Sequence, residues 1–178
     1  VCTSIGLLCG IGGAANFNLC MGRKETEHAK SYVGNAVSML AILGVILCIA
    51  VQLFLRPMMI LFGATADVLT YACTYTRITS IGFPFLIVTI GGSNLIRADG
   101  SPNYSMACNL VGAVVNSILD PLFIFVFHMG MTGAALATIT GQVLSFLLVV
   151  RYLRGFKTLP LSLSDLKPKT ACWIQIAS

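Results

Sequence analysis

The stretch Asn116-Ser117-Ile118-Leu119-Asp120-Pro121 places a carboxylate inside a long apolar run. Residues 100–119 and 121–150 contain no Lys, Arg, Asp or Glu, so Asp120 is the single charged side chain between positions 100 and 150. An ionisable group at bilayer depth costs about 2.5 to 3.5 kcal/mol even on the mildest insertion scale, which indicates a functional site. The alternative is an Asp near the membrane interface that caps a helix kink.

Two neighbours offer polar partners to Asp120. Asn116 lies four residues earlier and therefore on the same face of a helix. Pro121 has no N–H for the carbonyl of Ser117 and crowds that carbonyl, so we predict a helix kink at Pro121 that frees one backbone oxygen. The sequence thus predicts that an acid, an amide and a free carbonyl converge.

The composition is that of an integral membrane protein. The chain is 57% hydrophobic and 10% charged, with a mean hydropathy of +0.90, whereas soluble domains carry about 25% charged residues. Several uncharged runs approach the ~20 residues that a helix needs to cross a bilayer. These runs predict an all-α fold, a polytopic transmembrane helical bundle.

Five transmembrane helices are predicted, over residues 1–20, 31–55, 67–96, 103–127 and 132–151, within a unit covering 1–155. Residues 156–178 are interpreted as a basic cytoplasmic loop between lobes and the start of a further helix. Because the sequence starts without Met and ends in an apolar stretch, we expect it to be a fragment that lacks helices on both sides.

The distribution of basic residues predicts the orientation. The connections that follow the first, third and fifth helices contain nine Lys or Arg, and those that follow the second and fourth contain only Arg56. Basic loops face the cytoplasm, so residue 1 and the connection at His128 are expected outside. Arg77 is expected at the interface. The net charge of +5 follows from this topology and does not indicate nucleic acid.

Small and polar residues recur at helical spacing on three of the predicted helices. Such stripes are expected to face protein or water, and glycine faces allow close helix approach. Gln142 is expected either to line a cavity or, preferably, to bridge helices. The seven Cys show no pattern typical of zinc or disulfides. The stripes are Gly6, Gly10 and Gly13; Ser105, Asn109, Gly112, Asn116 and Asp120; and Thr138, Gln142 and Ser145.

The segment GSPNYSMACNLVGAVVNSILDPLFIFVFHMGMTGAALATITGQVLSFLL, residues 100–148, resembles the multidrug and toxic compound extrusion (MATE) transporters. In that family an N-x-x-L-D-P helix is followed by a glycine turn and G-A-A-x-A-T. The charged connection over 22–29 and LIRADGSP over 95–102 resemble the family's arrangement too. The resemblance covers helices two to six of the first six-helix lobe.

This resemblance implies a multi-pass protein of the cell membrane and an antiporter that exports mostly cationic organic compounds in exchange for Na⁺ or H⁺. It implies a cation-coupling site at Asn116, Asp120 and Thr138, with a looser match at Asn94 or its neighbour Ser93. Carboxylate, amide and hydroxyl oxygens suit Na⁺ or a shared proton and are poor ligands for zinc or copper. The implied partners are an organic small molecule, the lipid bilayer and the missing helices, with no cofactor beyond the coupling ion.

Three other functions compete with drug antiport. A lipid-linked oligosaccharide flippase of the same superfamily is expected to carry bases inside its cavity to hold diphosphate, and the spans over 1–20, 103–127 and 132–151 have none before their cytoplasmic ends. A membrane-embedded enzyme needs paired acids, a serine with a base, or a zinc motif, and none is present. A scaffold leaves the polar stripe that includes Asp120 unexplained.

Overall fold

The computed structural model describes residues 2–61 and 66–155 of the chain, and within these ranges every regular element is helical. The predicted all-α bundle is confirmed. The predicted basic loop over 156–178 lies outside the described residues. The elements are α1 (Cys2–Gly22), α2 (Thr26–Leu61), α3 (Ala66–Ser80), α4 (Phe83–Ala98), α5 (Pro102–Pro121), a π-helix (Leu122–Val126) and α6 (Gly130–Arg154).

Four of these helices are long and apolar enough to cross a membrane, and α3 and α4 meet the same criteria only together, as a pair bent by 51°. The single helix predicted over 67–96 is therefore two helices. The chain turns at Gly82, and Pro84 lies in the first turn of α4, where its missing N–H breaks no helical hydrogen bond. Gln52 of α2 donates through Nε2 to the carbonyl of Arg77, 2.9 Å away, and so satisfies one exposed acceptor at the end of α3.

The second helix is longer at both ends than the predicted span 31–55. It begins at Thr26, so only Arg23 to Glu25 separate it from α1. It also continues past Pro57 to Leu61, because the regular backbone already breaks at Phe54 (φ −101°, ψ 15°). Pro57 thus lies in the first turn after the break, where a proline is tolerated.

The fourth helix is the centre of the bundle, since it packs against α1, α2, α5 and α6. The glycine face predicted on α1 packs closely against both α4 and α2. A Cβ added to Gly10 would lie 2.6 Å from the Cα of Gly91 in α4, and one added to Gly13 would lie 2.7 Å from the Cβ of Ala36 in α2. The prediction of close packing through this face is confirmed, as is usual where small residues meet in membrane bundles.

Many large apolar side chains on the outside of the bundle remain exposed, among them Leu53, Leu61 and Phe125 at 73%, 84% and 71%. Patches of this kind are rare on soluble monomers. In a membrane they contact lipid, so the polar side chains that face inward are the ones that require an explanation.

Candidate ion site between α4, α5 and α6

The site begins at a backbone contact between α5 and α6. A Cβ added to Gly112 would overlap Ser145 Oγ and lie 2.8 Å from the carbonyl oxygen of Gly141. A Cβ added to Gly141 would lie 2.7 Å from the carbonyl oxygen of Gly112 and 3.1 Å from the Cβ of Asn116. The two glycines therefore hold the polar stripes of α5 and α6 against each other.

Next to this contact, α4, α5 and α6 line an open cavity of about 220 Å³. Its apolar lining includes Leu86, Ile90 and Ala113. A cavity of this size holds several water molecules or a partly hydrated ion, but it is smaller than the ~300 Å³ at which drug-sized pockets begin. The polar side chains that line it are Thr89, Asn109, Asn116, Thr138, Gln142 and Ser145.

Two of the predicted site residues, Asn116 and Thr138, line this cavity together. The Nδ2 atom of Asn116 is buried and has no hydrogen-bond partner. Thr138 Oγ1 donates to the carbonyl of Ala134 at 2.9 Å, so the hydroxyl keeps its lone pairs for an incoming cation. Turning the Asn116 amide over exchanges its oxygen and nitrogen, so this side chain can offer the cavity an acceptor as well as a donor.

Asp120 lies one helical turn beyond Asn116 on α5 and is not part of the cavity lining. Its side chain is half-buried, and Oδ1 is buried without a hydrogen-bond partner. Across the part of the chain that the structure describes, no group of three or more His, Cys, Asp or Glu side chains forms a metal site. The chemistry open to Asp120 is to bind a proton or a hard cation.

The other half of the α5 stripe forms hydrogen bonds to α4. Ser105 is buried and donates to the carbonyl of Ser93 at 3.0 Å. Asn109 donates through Nδ2 to Ser93 Oγ at 3.3 Å and to the carbonyl of Ser105 at 3.1 Å. The stripe is predicted to face protein or water, and its first half faces α4. The stripe divides at Gly112 into a half that is bonded to α4 and a half with buried atoms that have no partner among the described residues.

The backbone after Asp120 changes helix type where the sequence predicts a kink. Pro121 has helical angles (φ −64°, ψ −34°) and ends α5, and the π-helix follows directly. The N–H of Leu122 donates to the carbonyl of Leu119, so neither Pro121 nor Leu122 supplies the bond that Ser117 would receive in a regular helix. Short π-helical segments occur frequently at functional sites.

Asn94 does not join the other predicted residues. Its Nδ2 donates to the carbonyl of Ile90 at 3.2 Å, and the same atom lies 3.0 Å from the position of a Cβ on Gly10. The side chain therefore faces α1 and not the cavity, which corrects its predicted place in the site. Its neighbour Ser93 faces α5 and accepts the bond from Asn109.

Gln142 does more than bridge helices, which is the role that the sequence favours. It lines the cavity, and its Oε1 is buried without a partner at the α3–α4 turn, where it occupies the space that a Cβ of Gly82 would need. The helical spacing from Thr138 signals which face it lies on, but its contact with Gly82 depends on packing that the sequence does not reveal.

The family is established by comparison of the sequence. The family model described as MatE matches residues 2–122, and the chain belongs to this family. The multidrug export protein MepA of Staphylococcus saprophyticus is 29% identical over 177 residues, which are 99% of this chain and 39% of that protein. The probable multidrug resistance protein YoeA of Bacillus subtilis is 28% identical over 152 residues, 83% of this chain and 33% of that protein. The chain thus spans 39% or less of the length of these curated relatives.

Solved structures confirm the fold. An inward-facing multidrug resistance MATE family transporter superposes with a TM-score of 0.91 at 23% identity, over 98% of this chain and 40% of that one. An outward-facing conformation superposes with a TM-score of 0.89 at 23% identity, over 98% and 39%. The chain thus belongs to a family of multi-pass membrane transporters, and its fold fits the inward-facing and the outward-facing conformation almost equally.

Proposed function

We propose that the protein to which this chain belongs is a secondary active antiporter that exports organic, mostly cationic compounds in exchange for Na⁺ or H⁺. The observation that carries this proposal is the pair Asn116 and Asp120, one turn apart, each with a buried polar atom that has no partner. Buried polar groups are nearly always hydrogen-bonded, so two unsatisfied ones on the same helix face favour a bound ion or proton.

The geometry favours a coupling ion over a drug as the occupant of this lobe. The cavity of about 220 Å³ is smaller than drug-sized pockets usually are. Its oxygen atoms belong to amides and hydroxyls, with the carboxylate of Asp120 one turn away, and such ligands suit Na⁺ or a proton relay. The exported compound is then expected to bind between this lobe and the rest of the transporter.

Coupling requires that the ion and the proton compete and that occupancy changes the conformation. One carboxylate cannot hold a proton and ligate Na⁺ through the same oxygen, so the two occupants exclude each other at Asp120. The π-helix after Pro121 supplies an element that can change with occupancy, because its hydrogen bonds differ from those of α5. A ligand with equal affinity for both states would shift nothing.

The test is transport by the full-length protein in proteoliposomes. Uptake of a fluorescent cationic dye is followed after imposing a Na⁺ gradient, a pH gradient or neither, with ATP absent. Antiport predicts uptake that depends on one gradient and collapses when an ionophore dissipates it. Dye uptake that is the same with and without both gradients would overturn the proposal.

The lipid-linked oligosaccharide alternative is weaker. A flippase cavity must neutralise a diphosphate, which takes Lys or Arg. None of the residues that line the described cavity between α4, α5 and α6 is basic. Dye export with no transfer of a pyrophosphate-linked lipid in the same vesicles would decide between the two activities.

The orientation follows from the same assignment. The turn Arg23 to Glu25 and the end of α6 at Arg154 are proposed to face the cytoplasm, and His128 the outside. In a Cys-free background, a cysteine at Met129 is expected to react with an impermeant reagent added outside. Reaction only with reagent added on the cytoplasmic side would show that the proposed orientation is wrong.

A further inference from the structure

Two arginines line one pocket on the far side of the molecule from the basic α1–α2 turn. The pocket lies between α2 and α3, has a volume of about 470 Å³, and includes Arg56, Arg77 and Thr70 in its lining. Both arginines are exposed. Within the described ranges, neither guanidinium has an ion pair or hydrogen bond, although the backbone carbonyl of Arg77 is held by Gln52. The pocket therefore concentrates two positive charges that no described acid neutralises.

The length of α2 places this pocket at the level of lipid headgroups. No charged residue occurs between Lys30 and Arg56, and 26 helical residues extend about 40 Å. That distance matches the ~40 to 45 Å thickness of a bilayer including its headgroup regions. With Lys30 at one headgroup layer, Arg56 is near the opposite one, and the backbone of Arg77 lies beside Gln52, about one turn deeper along α2.

The surroundings of the arginines are those of an amphipathic ligand. Leu53, Leu55 and Leu69 form an apolar wall of the pocket. Leu55 also lines a second, almost wholly apolar groove of about 750 Å³, which contains Phe54 and Met58 near the break in α2. A charged recess and an apolar groove thus meet at one residue.

Phosphate is the anion that this arrangement fits best. A guanidinium binds two phosphate oxygens at once through paired N–H groups, and two of them neutralise a headgroup with a net negative charge. A lipid supplies both a phosphate at this depth and an acyl chain for the adjoining groove, whereas free phosphate leaves the groove unused.

We propose that the α2–α3 pocket binds an anionic phospholipid, with its phosphate between Arg56 and Arg77 and an acyl chain in the groove beyond Leu55. The site is separate from the ion site and requires only that the chain lies in a membrane. Loss of transport coupling at Asp120 would leave it intact.

The experiment titrates the purified full-length protein in detergent with dioctanoyl phosphatidylglycerol and counts bound lipid by native mass spectrometry. The double variant R56Q/R77Q is expected to weaken binding by about tenfold or more, and R56K/R77K by less, since lysine keeps the charge but loses the paired N–H groups. R23Q/K24Q removes the same charge at the α1–α2 turn and is expected to bind as the wild type does.

Further ligands separate the sources of affinity. Dioctanoyl phosphatidylcholine, dioctanoylglycerol and inorganic phosphate are each expected to bind about tenfold more weakly than the anionic lipid, since each lacks the net charge, the phosphate or the chains. Inorganic phosphate that binds as tightly would make this an anion site and overturn the lipid proposal. The arginines would be excluded from the site if the wild type bound dioctanoylglycerol as tightly as the anionic lipid, or if R56Q/R77Q bound the anionic lipid as tightly as the wild type. A loss of binding in R23Q/K24Q equal to that in R56Q/R77Q would exclude them too.

Thermal unfolding in detergent without lipid shows whether R56Q/R77Q is folded. Both arginines are exposed, so a midpoint close to that of the wild type is expected. If R56Q/R77Q is unfolded, the test rests on lipid binding by R56K/R77K. Binding equal to that of the wild type would overturn the bidentate phosphate contact, and weaker binding supports it.

Discussion

The two halves of α5 carry the same kinds of polar side chain but differ in their hydrogen bonding. Before Gly112, Ser105 and Asn109 donate hydrogen bonds to Ser93 of α4. After Gly112, Asn116 and Asp120 keep buried atoms that bond to nothing among the described residues. The first half joins helices, whereas the second half holds unused binding capacity.

The difference teaches how to separate structural from functional polar groups in a membrane helix. A satisfied buried hydrogen bond contributes about 1 kcal/mol to stability, and an unsatisfied group costs about 1 to 3 kcal/mol. The second half of α5 is therefore expected to be tuned for ligand binding at some loss of stability, and mutations in the two halves should change different measurements.

The largest expected effect belongs to Asp120→Asn. Asparagine has nearly the same shape but cannot exchange a proton for a cation, so we expect gradient-driven dye transport to fall by about 100-fold or more with normal expression and unfolding temperature. Asp99→Asn is the matched control, since Asp99 accepts a bond from Tyr152 OH at 2.9 Å near the end of α4. Wild-type transport by Asp120→Asn with the same gradient dependence would remove Asp120 from the mechanism.

Gly112→Ala tests the boundary between the halves. The added methyl group overlaps Ser145 Oγ and meets the carbonyl of Gly141, so α5 and α6 must separate, at a cost of about 1 to 3 kcal/mol. The measurement is the thermal midpoint in detergent. Gly22→Ala places a methyl group in open space and should leave the midpoint unchanged; equal midpoints for the two variants would contradict the close contact.

Asn116→Ala and Ser105→Ala compare the two halves directly. Removing the unbonded amide of Asn116 is expected to reduce ion-coupled transport by about tenfold with little change in thermal midpoint, and Thr138→Ala should act similarly. Ser105→Ala removes the bond from Ser105 Oγ to the carbonyl of Ser93 and the bond that it accepts from Arg97 Nε, and should lower stability by about 1 kcal/mol with the ion dependence kept. The opposite pattern would mean that the two halves have been assigned the wrong way round.

Pro121→Ala is expected to have the smallest effect. The new N–H can donate to the carbonyl of Ser117, which favours a regular α-helix in place of the π-helix over Leu122–Val126. We expect transport to fall about two- to fivefold with insertion unchanged. Normal transport at normal expression would make the change of helix type incidental to coupling.

The sequence predicts what depends on hydropathy and helical phase, and fails where tertiary contacts decide. Uncharged runs predict the bundle, whereas the pairing of Asn116 with Thr138, which line one cavity, is implied only by the resemblance to MATE transporters. The α3–α4 break was visible only as Gly82 and Pro84. Gly82 and Pro84 are equally compatible with a bend inside one helix and with a break between two helices. Tertiary contacts such as the hydrogen bond from Gln52 to the carbonyl of Arg77 distinguish the two cases.

Asn94 shows the limit most clearly. It and Ser93 differ by one position, or about 100° around the helix, and both are polar. To choose between them, one must know which helix packs against each side of α4, and four helices pack against it. Only the placement of α1 against Gly91 shows that Asn94 faces away from the cavity.

The fit of Gln142 into the space beside Gly82 has an evolutionary consequence. A Cβ at position 82 would overlap Oε1 of Gln142, so a larger residue at 82 requires the Gln142 side chain to adopt another rotamer or to be shorter. Relatives with alanine or a larger residue at position 82 are expected to carry a shorter residue at position 142, and Gly82→Ala should be rescued by Gln142→Ala within the same chain.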